Sequence, residues 1–66
     1  DYTSKRWHRL REKVLKRDKY MCQWNKRYGR HIQADTVHHI FPAEQYPQYE
    51  YCEWNLISLC SSAHNM

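Results

Sequence analysis

Apolar residues near the start of the chain recur at spacings of three and four positions, and Lys or Arg fills most of the positions between them. The apolar positions are Trp7, Leu10, Val14 and Leu15. This spacing is typical of an amphipathic helix, and Thr3 or Ser4 offers a hydroxyl that can cap its start. The pattern predicts a helix over residues 4 to about 20, with its apolar stripe packed on the rest of the domain.

Beyond residue 20 the pattern changes to short segments. Residues 22–24 and 35–40 could form strands, and Gly29, the one glycine of the chain, lies between them. We expect a β-hairpin whose loop uses Gly29 at a positive φ. Pro42 should end the second strand, because proline cannot donate to a ladder. Residues 43–53 are aromatic, acidic and aperiodic, and they are predicted to form a covering loop.

The last segments are an apolar run, "WNLISLC", and then "SSAHNM". Ser61 or Ser62 can cap a helix that carries His64. The expected order of elements is therefore helix, hairpin, loop and helix start. The sequence begins without Met and ends without a helix stop signal, so we expect it to be a piece of something longer.

Charge is divided unevenly along the chain. Residues 1–31 hold all eleven Lys and Arg with three acids, a net of +8, whereas residues 32–66 hold four acids and no Lys or Arg, a net of −4. A basic helix is often only a solvated face, but this concentration in one small domain makes nucleic acid a candidate partner. The cations expected to face outward from the first helix and contact DNA phosphates are Arg9, Lys13, Lys16 and Arg17.

The size of the chain limits its core. A chain of 66 residues is one domain at most, and a metal, disulfides or a partner often helps to hold so small a fold together. Three cysteines cannot pair completely, and no signal peptide or membrane-spanning segment is evident. A reducing, cytoplasmic setting without membrane contact is therefore expected. The alternative, a small secreted domain stapled by a disulfide, requires a Cys–Cys bond.

Three polar features follow one another in order: "VHHIFP" with His38 and His39, then Asn55, then His64 nine residues later. Side chains alternate along a strand, so the two adjacent histidines would point to opposite faces. Each feature alone is more often a packed or surface residue than a functional one. Their ordered combination is far more specific, and it leaves two readings of the pair: one histidine is core and the other surface, or the two have different tasks at one site.

In order and spacing, "VHHIFP", "WNLISLC" and "SSAHN" resemble the HNH endonuclease family, and the upstream "LREKVLKRDKYMCQW" resembles its small phage-type members. The resemblance covers about residues 7–65. It implies an α+β fold, with an N-terminal helix of about residues 4–20 packed on a ββα-metal core. That core would span about residues 21–66 and consist of a β-hairpin and a C-terminal helix that is incomplete here. Residues 1–66 would form a single HNH nuclease domain.

The resemblance also implies an activity and roles for four residues. The activity is that of a metal-dependent DNA endonuclease or nickase that leaves 5′-phosphate and 3′-hydroxyl ends, with one divalent ion, Mg²⁺, Mn²⁺, Ni²⁺ or Zn²⁺. His39 becomes the general base, a task that suits imidazole near neutral pH, and Asn55 orients it by tying the loop backbone. His38 and His64 become metal ligands, since an imidazole that holds a metal has committed its lone pair. Asn65 or a residue beyond Met66 is a candidate further ligand.

Many members of the family hold a structural zinc with two C-x-x-C pairs, and here each pair keeps only its first cysteine. Asn25 stands where the partner of Cys22 would be, and Ala63 where the partner of Cys60 would be. Two thiolates do not complete a tetrahedral zinc site. We therefore expect no structural zinc, and the two cysteines should pack near each other as thiols. The alternatives are a disulfide between them or a substitute zinc site that adds Cys52 and His31.

Two questions of function stay open at this point. The alternative to a nuclease is a catalytically inactive DNA-binding module that keeps the fold, and the intact set of His38, His39, Asn55 and His64 argues against it. The phage-type resemblance also makes a terminase or portal protein a conceivable partner besides DNA.

Overall fold

The chain folds in the order helix, short helix, strand, loop, strand and helix in the computed structural model, which describes residues 3–64 and only the backbone of residues 63 and 64. The helices are α1 (Lys5–Arg17), α2 (Gln23–Arg27) and α3 (Ser61–His64), and the strands are β1 (Thr36–His39) and β2 (Leu56–Leu59). Two 3-10 turns, Pro47–Tyr49 and Glu53–Asn55, lie in the loop between the strands. The architecture is α+β, as expected.

Helix α1 begins where the sequence predicts. The Ser4 hydroxyl accepts a hydrogen bond from the Trp7 backbone N–H at 3.1 Å, which caps the helix. Trp7, Val14 and Leu15 of the apolar stripe are buried. The prediction of an amphipathic first helix is confirmed.

The end of α1 differs from the prediction, because the helix stops at Arg17 rather than near residue 20. Lys19 and Tyr20 both have φ of 57°, a left-handed conformation that no right-handed helix can continue through. The Asp18 carboxylate at this point accepts a hydrogen bond from the Ser58 backbone N–H on β2, at 3.0 Å. A contact with a distant strand thus fixes the turn, and local helix periodicity does not reveal it.

The predicted hairpin between residues 22–24 and 35–40 is wrong. Residues Gln23–Arg27 form the helix α2, and the only paired position of residues 20–34 is a single antiparallel bridge between Met21 and Gln33. Three residues are too few for propensity to choose between strand and helix. Gly29 nevertheless has a φ of +76°, so the expected positive φ after this segment is confirmed.

Strand β1 pairs instead with β2, much further along the chain. The pairing is antiparallel, with Val37 opposite Ser58, His38 opposite Ile57 and His39 opposite Leu56. Helix α3 starts two residues after β2 ends. The two strands and the following helix make the ββα order that the resemblance implies, with the long loop of residues 40–55 in place of a tight hairpin.

The core lies between α1 and the two-stranded sheet. Buried Trp7, Val14 and Leu56 form its centre, and Val37 and Tyr51 are among the half-buried residues that pack on it. Since cross-strand partners share a face, the Val37 and His39 side of β1 faces α1 together with Leu56. The side chain of His39 therefore projects from the face of the sheet that packs on α1, and the side chain of His38 projects from the opposite face.

Candidate active site

The paired histidines lie on opposite faces of β1, as their alternation predicts. His38 is exposed, whereas His39 is half-buried. Both line one cavity of about 250 Å³ at the end of the strand, together with Pro42, Ala43 and Glu44. Two adjacent histidines in different surroundings thus line the same cavity.

The contacts of His39 include a hydrogen bond and a ring stacking. Its Nε2 lies 3.0 Å from the backbone carbonyl oxygen of Glu50, and its ring stacks on Trp7, with centroids 5.6 Å apart and planes at 21°. A carbonyl oxygen only accepts hydrogen bonds, so Nε2 carries the proton. In the neutral ring the basic lone pair is then on Nδ1. The fold therefore selects the tautomer of His39 as well as its orientation.

Asn55 is fully buried and joins the two ends of the loop. Its Oδ1 accepts from the Phe41 backbone N–H at 2.7 Å, and its Nδ2 donates to the carbonyl oxygens of Phe41 at 3.1 Å and Tyr49 at 3.0 Å. The Asn55 carbonyl also accepts from the Ile40 backbone N–H at 2.8 Å. These bonds fix the loop backbone beside Glu50, the residue whose carbonyl holds His39.

Of the two metal ligands that the resemblance implies, the structure describes the side chain of His38 and only the backbone of His64. His38 lines the cavity, and so does Glu44, a second residue whose side chain can bind a cation. The backbone of His64 lies in α3, directly after the strand that pairs with His38, but its side chain and Asn65 lie outside the described part. Imidazole and carboxylate at an open cavity are donors that fit a divalent ion such as Mn²⁺ with water in its other positions.

Cys22 and Cys60 meet at a second polar centre, on the α2 side of the fold. Asn25 Nδ2 donates to the Sγ of Cys22 at 3.3 Å and to the Sγ of Cys60 at 3.1 Å. Both thiols are buried, and all three cysteines of the chain are unpaired with each other. The expected proximity as thiols is confirmed, and the disulfide alternative is wrong.

The surroundings of Cys22 favour its thiolate. Burial raises the pKa of the Cys22 thiol, but hydrogen bonds from Asn25 and from Cys60 lower it by more, to about 7. Among the side chains between residues 3 and 62, no three His, Cys, Asp or Glu groups come together to hold a metal. The residues of the substitute zinc site, Cys52 and His31 with the two buried cysteines, are thus not brought together within the described side chains.

The cations predicted to contact DNA separate into two groups. Arg9, Lys13 and Lys16 are exposed on α1 and line a shallow depression with His8 and Glu12. Lys13 also lies 3.7 Å from a Glu53 carboxylate oxygen. These three side chains remain candidates for phosphate contact.

Arg17 is engaged within the fold. Its guanidinium donates to the carbonyl oxygens of Glu53 at 2.8 Å and Leu56 at 2.6 Å, and it pairs with the Asp18 carboxylate at 2.9 Å. Burial raises the pKa of Asp18, but the bonds from Arg17 and Ser58 outweigh it and leave that pKa below its ordinary value. Arg17 is exposed, as expected, but its guanidinium also fastens the end of α1 to the start of β2. Its contact with phosphate stays a prediction.

Sequence reasoning missed several residues on which this site depends. Trp7 was assigned to the apolar stripe, and its stacking on His39 joins residues far apart in the chain. Glu50 acts through its backbone carbonyl, which leaves no signature in the side-chain sequence. Asn25 was noted only as the replacement of a cysteine, although its position three residues after Cys22 was the available signal.

Comparison with known proteins decides the family. Neither protein-family models nor curated proteins give a match to the chain. Among solved structures, the chain is similar to a crystal structure of the HNH endonuclease of the deep-sea thermophilic bacteriophage GVE2 with a manganese ion. The two are 36% identical with a TM-score of 0.93, over 97% of this chain and 70% of that one. The chain belongs to the HNH endonuclease family.

Membership of the HNH endonuclease family confirms the resemblance to phage-type members and the expected fold. The ββα unit of the family corresponds here to β1, β2 and α3, with α1 packed against the sheet. Within residues 3–64, no helix has the length and apolar character needed to cross a bilayer.

Proposed function

We propose that this HNH-family chain is a metal-dependent DNA endonuclease or nickase that hydrolyses phosphodiester bonds to 5′-phosphate and 3′-hydroxyl ends. The observation that carries the proposal is the contact between His39 Nε2 and the Glu50 carbonyl, which places the basic lone pair of the ring on Nδ1. His39 lines a cavity that His38, the second histidine of the pair, also lines. A general base and a ligand for a cation on adjacent residues suit hydrolysis of a phosphodiester.

In this proposal His39 accepts the proton of the attacking water at Nδ1. The imidazolium that forms keeps its Nε2–H bond to the Glu50 carbonyl, so a fixed dipole stabilises the new charge. The face of Trp7, stacked on the ring, stabilises the same cation through its π electrons. A positioned base of this kind contributes about 10²- to 10⁴-fold in rate.

The metal would be held by His38 and His64, with Glu44 lining the same cavity. When bound, a divalent ion supplies stabilisation of negative charge on the phosphoryl and leaving oxygens. Manganese is the first candidate, since the GVE2 relative was crystallised with it. His38→Ala and His64→Ala should each weaken Mn²⁺ binding by more than about tenfold in calorimetry, while His31→Ala, an exposed histidine elsewhere, should not.

Asn55 positions the base rather than touching the reacting atoms. Its side chain bonds to the backbone of Phe41 and Tyr49 and so fixes the segment that carries Glu50.

DNA is contacted by the exposed cations of α1, namely Arg9, Lys13 and Lys16. Such contacts to phosphates position the substrate without reading its sequence.

We further propose that residues 1–66 act as one HNH domain without a structural zinc. The buried Asn25 amide, bonded to both remaining thiols, occupies the place where a third ligand would be needed. Treatment with a zinc chelator should leave the free energy of unfolding unchanged. Loss of stability on chelation, with zinc released, would contradict this. Terminase or portal partners remain a prediction of the phage-type resemblance.

The experiment that tests the function is nicking of supercoiled plasmid with EDTA, Mg²⁺, Mn²⁺, Ni²⁺ or Zn²⁺ in parallel. We expect open-circular product with at least one metal and none with EDTA. No nicking under any metal, with salt-dependent DNA binding intact, would instead identify an inactive DNA-binding module.

A further inference from the structure

Four aromatic side chains of the loop form a cluster on the surface: Phe41, Tyr46, Tyr49 and Trp54. Their rings are in mutual contact, with centroids 5.1 Å apart for Phe41 and Tyr46, and 4.9 Å apart for Tyr49 and Trp54. Tyr46 and Tyr49 stack at 5.8 Å with planes at 11°. Three of the rings are open to solvent, since Phe41 is 42%, Tyr46 38% and Trp54 55% exposed.

This aromatic cluster is separate from the core. The core is centred on Trp7, Val14 and Leu56, and none of the four rings belongs to it. An exposed apolar patch of several rings on a small domain usually marks a binding surface. The cluster is therefore available for a function that folding does not explain.

The aromatic cluster is fixed next to the proposed catalytic cavity. The buried Asn55 side chain bonds to the backbone of Phe41 and Tyr49, the two rings of the cluster that each contact all the others. Phe41 directly precedes Pro42, which lines the cavity with His38 and His39. A molecule whose phosphate lies in the cavity would thus place its neighbouring groups over these rings.

The cations that could contact phosphate and the rings that could contact bases lie on different elements, α1 and the loop. The chain has no Lys or Arg after residue 30, so the loop itself offers no cation to a phosphate. Helix α1 adjoins the Trp54 end of the cluster, because Lys13 pairs with Glu53 at 3.7 Å and Arg17 donates to the Glu53 carbonyl at 2.8 Å. The pairing with Lys13 also offsets the Glu53 charge, while Glu50 is half-buried and Glu44 faces the cavity.

Cationic side chains beside exposed rings are the pattern with which proteins bind single-stranded nucleic acid: the cations follow the backbone and the rings stack on unpaired bases. A base in a duplex has both faces covered by its neighbours, so it cannot stack on a side chain without leaving the helix. Exposed rings of this kind therefore favour unpaired bases over paired ones.

We propose that the aromatic cluster is a stacking surface for one or two unpaired bases next to the cleaved phosphate, so that single-stranded or locally unpaired DNA is preferred over a continuous duplex. The proposal rests on the proposed function and names its substrate class. Stacking on a ring contributes about tenfold in affinity per base. Trp54, the most exposed of the rings, should carry the largest share.

The test compares three oligonucleotides of one sequence: a single strand, a duplex, and a duplex with a central unpaired bubble. Binding is measured by fluorescence anisotropy with His39→Ala protein, so that cleavage does not interfere. We expect the single strand and the bubble to bind about tenfold more tightly than the duplex. Trp54→Ala should bring this ratio close to one while leaving duplex affinity unchanged.

Matched variants keep the result interpretable. Tyr28 is 56% exposed and contacts Trp24 away from the loop, so Tyr28→Ala should leave the ratio unchanged. Trp54→Phe, which keeps a ring, should retain most of the preference. Tyr46→Ala gives a second removal of a ring if Trp54→Ala proves poorly folded by circular dichroism.

The outcomes separate the two proposals. Equal affinity for all three DNAs, or a ratio that survives both Trp54→Ala and Tyr46→Ala, would overturn the stacking surface. The same variants leaving DNA binding untouched while abolishing association with another protein would assign the cluster to a protein partner instead, which also overturns it. Absence of any cleavage by the protein with His39 intact, with the binding preference present, would overturn the nuclease and leave the stacking surface standing.

Discussion

Two buried asparagines organise two different regions of this HNH-family domain. Asn55, fully buried, joins backbone groups at the two ends of the loop and leaves the paired histidines beside a cavity. Asn25, 8% exposed, joins the side chains of Cys22 and Cys60. In the first region an amide fixes the backbone beside the proposed base. In the second an amide bonds to two thiols, and we propose that these hydrogen bonds take the place of a structural zinc.

The difference shows which parts of a small fold can be exchanged. A structural metal mainly contributes stability, and a hydrogen-bonded amide can take over some of that role at about 1 kcal/mol per bond. A base beside a metal site has no such substitute, because the chemistry depends on the group itself. We therefore expect substitutions to lower the free energy of unfolding most at Asn55, less at Arg17, where the two regions are joined, and least at Asn25.

Asn55→Ala should have the largest effect on stability. The substitution leaves the Phe41 N–H and the carbonyl oxygens of Phe41 and Tyr49 without their partner in a buried site, at a cost of about 3 kcal/mol. Urea denaturation measures the change, with Gln45→Ala on the exposed part of the same loop as control. If Asn55→Ala cost no more than Gln45→Ala, the role of the asparagine as a loop tie would be refuted.

Arg17→Ala should come next, because this side chain fastens α1 to the strand that links the two regions. The loss of charged hydrogen bonds to the carbonyl oxygens of Glu53 and Leu56 should lower the free energy of unfolding by about 2 kcal/mol. Lys16→Ala, its exposed neighbour, should change it by less than about 0.5 kcal/mol.

The same pair separates stability from DNA contact. Lys16→Ala should weaken DNA binding and reduce the slope of log affinity against log salt by about one. Folded Arg17→Ala protein should keep the original slope. A reduced slope for Arg17→Ala and an unchanged slope for Lys16→Ala would show instead that Arg17 contacts phosphate.

The effect at Asn25 should be visible mainly as a dependence on pH. The pKa of Cys22 is about 7 in the folded state, against about 8.5 for an ordinary thiol. The folded state therefore releases this proton first, so the contribution to stability is full above about pH 8.5 and is lost as pH falls through 7. The free energy of unfolding, measured in reducing buffer, should rise between pH 7 and 8.5.

Asn25→Ala should make this rise smaller without abolishing it, because it removes the side-chain amide that donates to both thiols. The backbone hydrogen bonds from Asn25 and Cys60, which lower the pKa of Cys22 by more, remain. Cys52→Ser, at the half-buried cysteine of the loop, should leave it unchanged. A rise of equal size in Asn25→Ala protein would mean that the amide does not stabilise the Cys22 thiolate.

Local patterns in the sequence predicted the parts of the fold that local forces determine. The apolar spacing from Trp7 to Leu15 and the Ser4 hydroxyl gave the first helix and its start. Alternation along residues 35–40 placed His38 and His39 on opposite faces, and Gly29 has the positive φ that was expected. Each of these depends on neighbours within a few residues.

Contacts between distant residues explain what the sequence did not predict. The strand assigned to residues 22–24 is a helix, and β1 pairs with β2, whose Leu56 packs in the core with Trp7 and Val14 of α1. The end of α1 is set by Asp18 and Ser58, and the tautomer of His39 by a backbone carbonyl. Side-chain patterns carry no trace of such bonds.

We propose that His39 is the general base, held by the Glu50 carbonyl and Trp7. The most direct test is the single-turnover rate of DNA cleavage by His39→Ala in the best metal, beside His31→Ala as the matched histidine variant. We predict a fall of about 10²- to 10⁴-fold for His39→Ala, with Mn²⁺ and DNA affinities unchanged, and a normal rate for His31→Ala. A His39→Ala protein that cleaves at the original rate would contradict the assignment of the base.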